Sequence, residues 1–423
     1  MIDSLLRLSS LLVGVALLLT GHGLQLALVP ISAELMGWSS AAVGYLSSVY
    51  FLGFISGCFL IPPLVSQIGH IRVFAALTAV TTAVILSFAL SDNFFLWLLL
   101  RFFSGAAIVG LYLVIESWLN SQLSNQVRGS VLSAYTAIVL TGLALGQLLL
   151  NADAPEGERL FIIAAIFIVL AALPVCLTRT AQPGSIPSAR FSPRLVLQTS
   201  RTASLGAFAA GIVTGSFYGL GPLYGLQRGL GVAEVSIMMA LGIAGGALLQ
   251  LPLGRLSDHV DRRKVICGAM VFGTGAALLA VVVPITFTPG VMFFFGAAVM
   301  PIYALCLAHA SDHIQSEQFL EVGTGLLMIN ASGSVIGPLV TSQLMENFGI
   351  GQFFLSHALV LAVTSLLVLI FIVSRRREAE FFTAFSPATT AAGQSIIELD
   401  PRSEPIEPEI RALEGEIITK SDP

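Results

Sequence analysis

Charged residues are scarce in this chain of 423 residues: Asp, Glu, Lys and Arg together make up 10% of it, whereas 56% is hydrophobic. A soluble domain carries roughly 25% of these charged residues, so this chain cannot cover a folded surface against water. It is therefore expected to lie in a lipid bilayer. Because a membrane-spanning helix needs about 20 apolar residues, this length allows roughly ten to fourteen spans.

Three further absences exclude classes of function. The formal charge of −4 shows no basic excess, which argues against a nucleic-acid partner. The four cysteines lie in apolar runs at no metal-ligand or redox spacing, so neither a metal, a disulfide framework nor another cofactor is predicted. No Walker-type loop and no nucleophile–base pair occurs, so neither use of ATP nor an enzymatic activity is expected.

Apolar windows of membrane-spanning length recur along the chain and predict an all-α membrane protein of twelve spans. Helices are required because lipid cannot satisfy a free backbone. The predicted spans cover 9–31, 41–63, 71–90, 94–119, 129–150, 159–178, 202–224, 233–255, 264–285, 290–311, 321–344 and 351–374.

The distribution of basic residues predicts the orientation of the chain. Up to Arg377, fourteen Arg and Lys residues of the loops fall on one side of the predicted membrane. Only Arg159 and Arg228 fall on the other side. Because positive loops stay inside, both termini are predicted to be cytoplasmic.

Composition divides the chain into four parts. Residues 1–179 and 201–374 each hold six spans and are predicted to form an N-terminal and a C-terminal six-helix bundle. Residues 180–200, with several Pro and Arg, form the predicted cytoplasmic linker. Residues 375–423 are acidic and Pro-punctuated, with little to bury, and are predicted to be a disordered cytoplasmic tail.

The two halves are related by an internal repeat. An offset of 192 places Pro30 on Pro222, Gly53 on Gly245 and Arg72 on Lys264, and an offset of 191 then holds over a longer stretch. The pairs at 191 are Phe102–Phe293, Phe103–Phe294, Gly105–Gly296, Tyr112–Tyr303, Gly142–Gly333 and Gly146–Gly337. Six spans per unit give the halves the same orientation, the parallel repeat of transporters that handle substrate near the midplane. Polar groups kept in one half only therefore need a reason other than scaffolding.

A charged loop between spans 8 and 9 is the most specific motif. Gly254 is followed four residues later by Asp258, and then by the basic residues Arg262 and Arg263. This order resembles the loop motif of the major facilitator superfamily, and the resemblance implies a gate in which Asp258 pairs in one conformation and separates in the other. The alternative is a loop that only sets topology. Arg72 marks the first-half counterpart, in which Ser66 replaces the Asp.

Span 4 carries two charged residues on one helical stripe. Arg101, Tyr112 and Glu116 fall within about 60° of one another around the helix. A charge inside a span costs roughly 2.5 to 3.5 kcal/mol, so the stripe is expected to face a wet cavity. Arg101 and Glu116 lie about 22 Å apart along the axis and cannot pair. The alternatives are an Arg101 that snorkels outward and a Glu116 that bonds the inner loop.

The remaining candidates complete a predicted substrate site. His22 and Gln25 in span 1 lie at a depth similar to that of Arg101, and Tyr112 and Tyr303 repeat at mid-depth. The predicted substrate-binding residues are therefore His22, Gln25, Arg101, Tyr112 and Tyr303. Glu116 is the leading proton carrier and His22 the second. The glycines at 142, 146, 333 and 337 are spaced four apart, which favours close helix packing.

Residues 9–374 as a whole resemble the major facilitator superfamily. The chain is similar more narrowly to the YcaD-like group of bacterial transporters, through Arg101, Gly105, Val114 to Ser117, Arg128-Gly129, Tyr135 and Gly146-Gln147. The resemblance implies a transporter that moves a small molecule by alternating access in a bacterial inner membrane. A monomer is expected, and Glu116 inside span 4 makes proton coupling the expected source of energy. A transporter-shaped sensor or assembly factor without net flux is the alternative.

The predicted orientation can be tested with topology reporters. A reporter fused after Arg377 should read the cytoplasm and one inserted within residues 151–158 should read the periplasm, because the basic residues concentrate on one side. The measurement is paired phosphatase and fluorescent-protein activity at each site. Readings from the same side would contradict twelve spans.

Overall fold

The computed structural model describes residues 8–121, 125–177, 193–315, 318–374 and 385. Within these ranges the chain forms helices and no strand, and twelve helical segments are long and apolar enough to cross a membrane. The predicted fold class and number of spans are therefore confirmed. Spans 1 to 12 are Ser9–Leu35, Ser40–Ile68, His70–Phe88, Phe94–Leu119, Val131–Ala152, Arg159–Cys176, Arg201–Gln227, Val232–His259, Arg262–Val282, Ile285–Ser311, Glu321–Phe348 and Gln352–Ser374.

Several helices extend beyond or divide within these limits. The helix of span 4 continues to Ser121, that of span 5 begins at Asn125, and that of span 11 begins at Phe319. Span 10 begins with a 3-10 helix, Ile285–Phe287, and continues as two α-helices, Thr288–Val299 and Pro301–Ser311. The two α-helices are separate because proline lacks the N–H that would continue the first one. Pro193–Thr199 forms a short helix before span 7, called here the linker helix. The predicted tail, apart from Phe385, lies outside the described residues.

Equivalent turns end spans 1 and 7. Gly37 and Gly229 have φ of 76° and 94°, a left-handed conformation that glycine adopts without steric cost. The amide of the residue after each glycine bonds back to a carbonyl five residues earlier, Trp38 to Ala33 and Leu230 to Gly225, both at 3.0 Å. Such bonds satisfy carbonyls that the helix end leaves free. The two turns lie 192 residues apart, as the repeat predicts.

The helix crossings inside each half also follow the repeat. Gly53 of span 2 lies against the carbonyl of Phe102 in span 4, and Gly245 of span 8 lies against the carbonyl of Phe293 in span 10. A side chain at either glycine would collide with that backbone. In the same way, Gly142 and Gly146 of span 5 pack on span 1, and Gly333 and Gly337 of span 11 pack on span 7. Both halves therefore assemble through the same close backbone contacts.

Within each half, short connections make consecutive spans antiparallel, so their ends alternate between two faces of the molecule. The face that carries the linker helix is called here the linker face, and the opposite one the distal face. The halves meet mainly where span 2 packs against span 11 and span 5 against span 8. Substrate access must change along these contacts if one half moves against the other.

Hydrogen bonds join the two halves in the distal part of this interface. The bonded pairs are Glu34–Gln227, Ser40–Gln227, Ala41–Glu346, Tyr45–Gln343, Ser47–Gly219, Ser48–Val335 and Asn151–Ser236. Gly44 of span 2 and Gly219 of span 7 let the backbones approach closely at the same level. The structure therefore has its distal face sealed between the halves.

Candidate substrate site and gating loop

Arg101 of span 4 lies inside the first half, where its side chain packs against span 2. Its side chain is only 2% exposed. The guanidinium carbon lies 4.4 Å from the centre of the Tyr50 ring, and Nε donates a hydrogen bond to the carbonyl of Leu46 at 3.3 Å. A cation over an aromatic face is stabilised by the ring quadrupole. The side chain therefore points into the protein and does not snorkel outward.

His22 and Gln25 of span 1 belong to the same cluster. His22 Nε2 and the Tyr50 hydroxyl are 3.3 Å apart, and Gln25 Nε2 donates to Ser104 Oγ at 2.9 Å. Both side chains of span 1 are buried. The structure thus brings together three of the five predicted substrate-binding residues, and Tyr50 connects two of them.

The cluster is electrostatically and chemically incomplete. Within the described residues no carboxylate lies within 4.0 Å of Arg101, and its Nη1 has no hydrogen-bond partner. His22 Nδ1 and Gln25 Oε1 are also buried without partners. Buried polar groups are nearly always paired, since each unpaired one costs about 1 to 3 kcal/mol. The arrangement has the donors and the positive charge to receive an anionic or hydrogen-bonding group.

A second polar cluster surrounds Glu116, toward the linker face. Glu116 is buried, and Oε1 accepts a hydrogen bond of 3.3 Å from the Tyr135 hydroxyl. The carboxylate also lies within electrostatic range of Tyr112 and of Tyr303, which belongs to the other half. The Tyr112 hydroxyl is buried and unpaired. Both predicted tyrosines thus lie near Glu116, and Tyr112 is also within electrostatic range of Tyr50 in the Arg101 cluster.

The stripe on span 4 differs in one respect from the expectation of a wet face. Gly105, between the two charged residues, lies directly against the backbone of Tyr50 in span 2. A glycine there lets spans 2 and 4 touch, so this part of the stripe is a helix contact. Arg101 and Glu116 are therefore parts of two clusters, one on each side of that contact.

Tyr50 was missed as a site residue, although the sequence carries a signal for it. At the offset of 192 it aligns with Gly242, so it is polar in one half only, like Arg101. The same comparison at 191 pairs Ser104 with Phe295 and Asp312 with Ser121. A complete comparison of the halves would have identified Tyr50 and Ser104 in this way, whereas Asp312 aligns with another polar residue and differs from it only in charge.

The predicted gating loop forms an ion-pair network centred on Arg262. Its Nε donates to Asp312 at 2.7 Å, Nη2 to Asp258 at 3.0 Å, and Nη1 to Ser257 at 3.0 Å. The side chain of Arg262 is 4% exposed and that of Asp312 is 7% exposed. The network ties the end of span 8 to the end of span 10, both in the second half, so Asp258 pairs with a basic neighbour as the motif predicts.

Asp261 and Arg263 make a separate pair beside this network. The Asp261 side chain caps the helix of span 9 through the amide of Arg263, and it also accepts from the Arg263 side chain at 2.8 Å. Partial burial alone would raise the pKa of the Asp261 carboxyl, but these hydrogen bonds outweigh it, and the net pKa lies below its usual range. Arg72, the predicted counterpart in the first half, is exposed.

One residue of the predicted tail lies on the gating loop. The amide of Phe385 donates to Asp258 Oδ1 at 3.0 Å, and its ring packs against Gly254. A side chain at position 254 would occupy the space that the ring fills. The lack of a side chain at Gly254 therefore leaves the space in which the Phe385 ring packs.

The family to which the chain belongs follows from comparison with known sequences. Residues 11–318 and 203–405 match the profile of the Major Facilitator Superfamily. The chain belongs to this superfamily. The assignment agrees with the twelve spans, the repeat and the charged loop between spans 8 and 9 described above. Relatives and structural neighbours from the superfamily are transporters and not enzymes, as the sequence led us to expect.

Individual relatives refine the assignment to a group. The uncharacterized MFS-type transporter YcaD of Escherichia coli (strain K12 / DH10B) is 30% identical over 361 residues, covering 85% of this chain and 94% of that protein. The crystal structure of the nucleoside transporter NupG has a TM-score of 0.72 at 13% identity and covers 87% of this chain and all (100%) of its own. A bacterial homologue of the lysosomal transporter Spinster, inward-facing and unoccupied, has a TM-score of 0.66 at 14% identity, covering 95% and 99%. These two structures show a shared fold, and the YcaD-like resemblance is confirmed.

The gating network can be tested with Asp258→Asn. The network is present while the distal face is sealed, so weakening it should lower the population of that state. A reporter Ser48→Cys in the distal interface should then react several-fold faster with an impermeant thiol reagent, and transport should slow. Asp258→Asn should preserve the fold, because Arg262 keeps Asp312 as a partner.

Two further variants make this result interpretable. Asp153→Asn also breaks an ion pair, with Arg159, but in an exposed distal loop, and should leave Ser48→Cys reactivity unchanged. Arg262→Gln leaves two carboxylates without their cation and should destabilise the protein by about 3 to 5 kcal/mol, the cost of breaking a buried pair. Unchanged reactivity and flux in Asp258→Asn would reduce the loop to a topology signal.

Proposed function

We propose that the protein moves a small solute bearing an anionic group across the bacterial inner membrane by alternating access of its two halves, coupled to protons. The linker face is cytoplasmic in this proposal, which rests on the fourteen basic residues found on that side against two on the other. Arg101 binds the anionic group and Glu116 carries the proton. The protein acts as a monomer, without a cofactor.

The incomplete environment of Arg101 is the observation that carries the proposal. A buried guanidinium without a counter-charge is costly, by several kcal/mol after relaxation. A carboxylate or phosphate on the substrate would accept from Nη1 and from His22 Nδ1 if that nitrogen carries the proton, while Gln25 Oε1 would accept from a substrate hydroxyl or amine. The planar guanidinium suits such a group because two parallel N–H donors match its two oxygens.

The distal seal supports alternating access. Hydrogen bonds between the halves hold the periplasmic side closed in this orientation, so the site would open toward the cytoplasm first. Glu116 lies between Arg101 and the linker face and within range of Tyr303 in the other half. A carboxyl group between the site and the cytoplasm is positioned to exchange a proton as the halves move. His22, in contact with Tyr50, is the second candidate carrier.

The substrate class can be tested by a thermal-shift screen of purified protein against small carboxylates, phosphates, sugars and cations. We expect stabilisation by anionic compounds only, since a buried cation without a partner gains most from them. Arg101→Gln should abolish the shift, and Arg101→Lys should restore it in part because a point charge replaces the planar donor pair.

Arg228→Gln is the matched control, because Arg228 also lies over a tyrosine ring, at 6.0 Å from that of Tyr224, but at the distal end of span 7. It should keep the wild-type response. Hits confined to apolar or cationic compounds, or full response in Arg101→Gln, would move the site to the level of Tyr112 and Tyr303.

Proton coupling can be tested with Glu116→Gln in proteoliposomes, using a compound found by the screen. Flux by the wild type should vary across about pH 5.5 to 8, a range that contains the ordinary pKa of histidine, because flux that carries a proton depends on proton concentration. The variant should bind the compound with similar affinity but show flux independent of pH. Glu158→Gln, in the exposed distal loop, is the control. Retained pH dependence in Glu116→Gln together with its loss in His22→Gln would assign the proton to His22.

A further inference from the structure

A cavity of about 840 Å³ lies at the linker face of the second half, far from the Arg101 cluster. Its walls are the linker helix, the start of spans 7 and 9, and the ends of spans 10 and 12. The proposed transport cycle uses neither this cavity nor the histidines in it. A space of this size holds a small molecule or the headgroup region of a lipid.

Three arginines give the cavity a positive charge. Arg194, Arg201 and Arg263 line it together with His309 and His313, whose rings are in edge contact at 4.8 Å. No carboxylate of the described residues lines it. Asp261 offsets part of the charge of Arg263 from outside the lining. No carboxylate in the described part of the chain lies within 4.0 Å of Arg194 or Arg201, so a net positive charge faces the space.

The rest of the lining combines polar side chains at positions 198 to 200 and 202 with apolar side chains from the linker helix and from spans 7 and 12. Leu205 is four residues inside span 7, and Phe371 is three residues before the end of span 12, so both lie about 5 to 6 Å within their helices. Leu197 of the linker helix adds an apolar side chain that is 52% exposed. A ligand that satisfies both parts must carry an anion at one end and hydrocarbon at the other.

We propose that this cavity binds the phosphate of an anionic phospholipid, with the acyl chains running along spans 7 and 12. Basic pockets between membrane helices bind lipid headgroups in this way. A free phosphate would use the arginines but leave the apolar walls without a partner, whereas a zwitterionic lipid would bring its own cation beside Arg194 and Arg201. The lipid would hold the linker helix to the second half. It would also lie next to the gating loop, because Arg263 of that loop lines the cavity.

The test measures lipid retained by the purified full-length protein by native mass spectrometry, with phosphatidylglycerol and phosphatidylcholine of identical chains. We expect phosphatidylglycerol to be retained at least about tenfold more than phosphatidylcholine. The double variant Arg194→Gln with Arg201→Gln should remove that preference, because each basic residue near the membrane surface adds to the attraction for anionic lipid. The double Lys variant should keep it, because the charge remains. The control pair Arg159→Gln with Arg228→Gln, on the distal face, should behave as the wild type.

Soluble competitors distinguish the source of the phosphate. Inorganic phosphate and glycerol 3-phosphate at millimolar concentration should not displace phosphatidylglycerol. Displacement by either would overturn the lipid assignment in favour of a free anion. Equal retention of the two lipids, or a double Gln variant that folds with unchanged thermal stability and retains phosphatidylglycerol as the wild type does, would also overturn it.

Discussion

Close contact between helix backbones is the constraint on which the rest of this structure depends. In a bilayer the hydrophobic effect does not drive helices together, so packing must come from surfaces that fit closely. Gly53 against Phe102 and Gly245 against Phe293 provide that fit in the two halves. These crossings fix where span 4 lies relative to span 2, and therefore place Arg101 over Tyr50. The candidate site is a consequence of how the glycines set the helix spacing.

Two buried arginines show how differently the fold treats a charge. Arg262 is bonded to Asp258, Asp312 and Ser257, and the network joins two helix ends. Arg101 has an aromatic face and one carbonyl instead. The first arrangement is complete within the chain and suits a structural joint that opens or closes as a unit. The second is incomplete within the described residues, which is why we assign it to a ligand.

The large features of the fold could be predicted because they follow from length, hydropathy and repetition. Twelve spans, the parallel repeat and the pairing of Asp258 with a basic neighbour all depend on patterns that a sequence displays directly. Tyr50, Asp312 and Phe385 depend on contacts between residues 50 or more positions apart. An aromatic residue in an apolar helix has no periodicity that indicates which side chain it meets. The repeat offers partial help, since alignment of the two halves identifies the polar residues that only one of them carries.

Ser47 in the distal seal has a property that bears on how the two halves can separate. Its hydroxyl lies 3.2 Å from the carbonyl of Gly219 in the other half and 3.0 Å from the carbonyl of Val43 one turn earlier in its own helix. When the halves part, the hydroxyl can rotate and donate to the Val43 carbonyl alone, so the donor keeps a partner. Breaking this contact therefore exchanges a shared bond for an unshared one at little enthalpic cost. A contact of this kind can form and break between the halves without leaving its donor unpaired in either state.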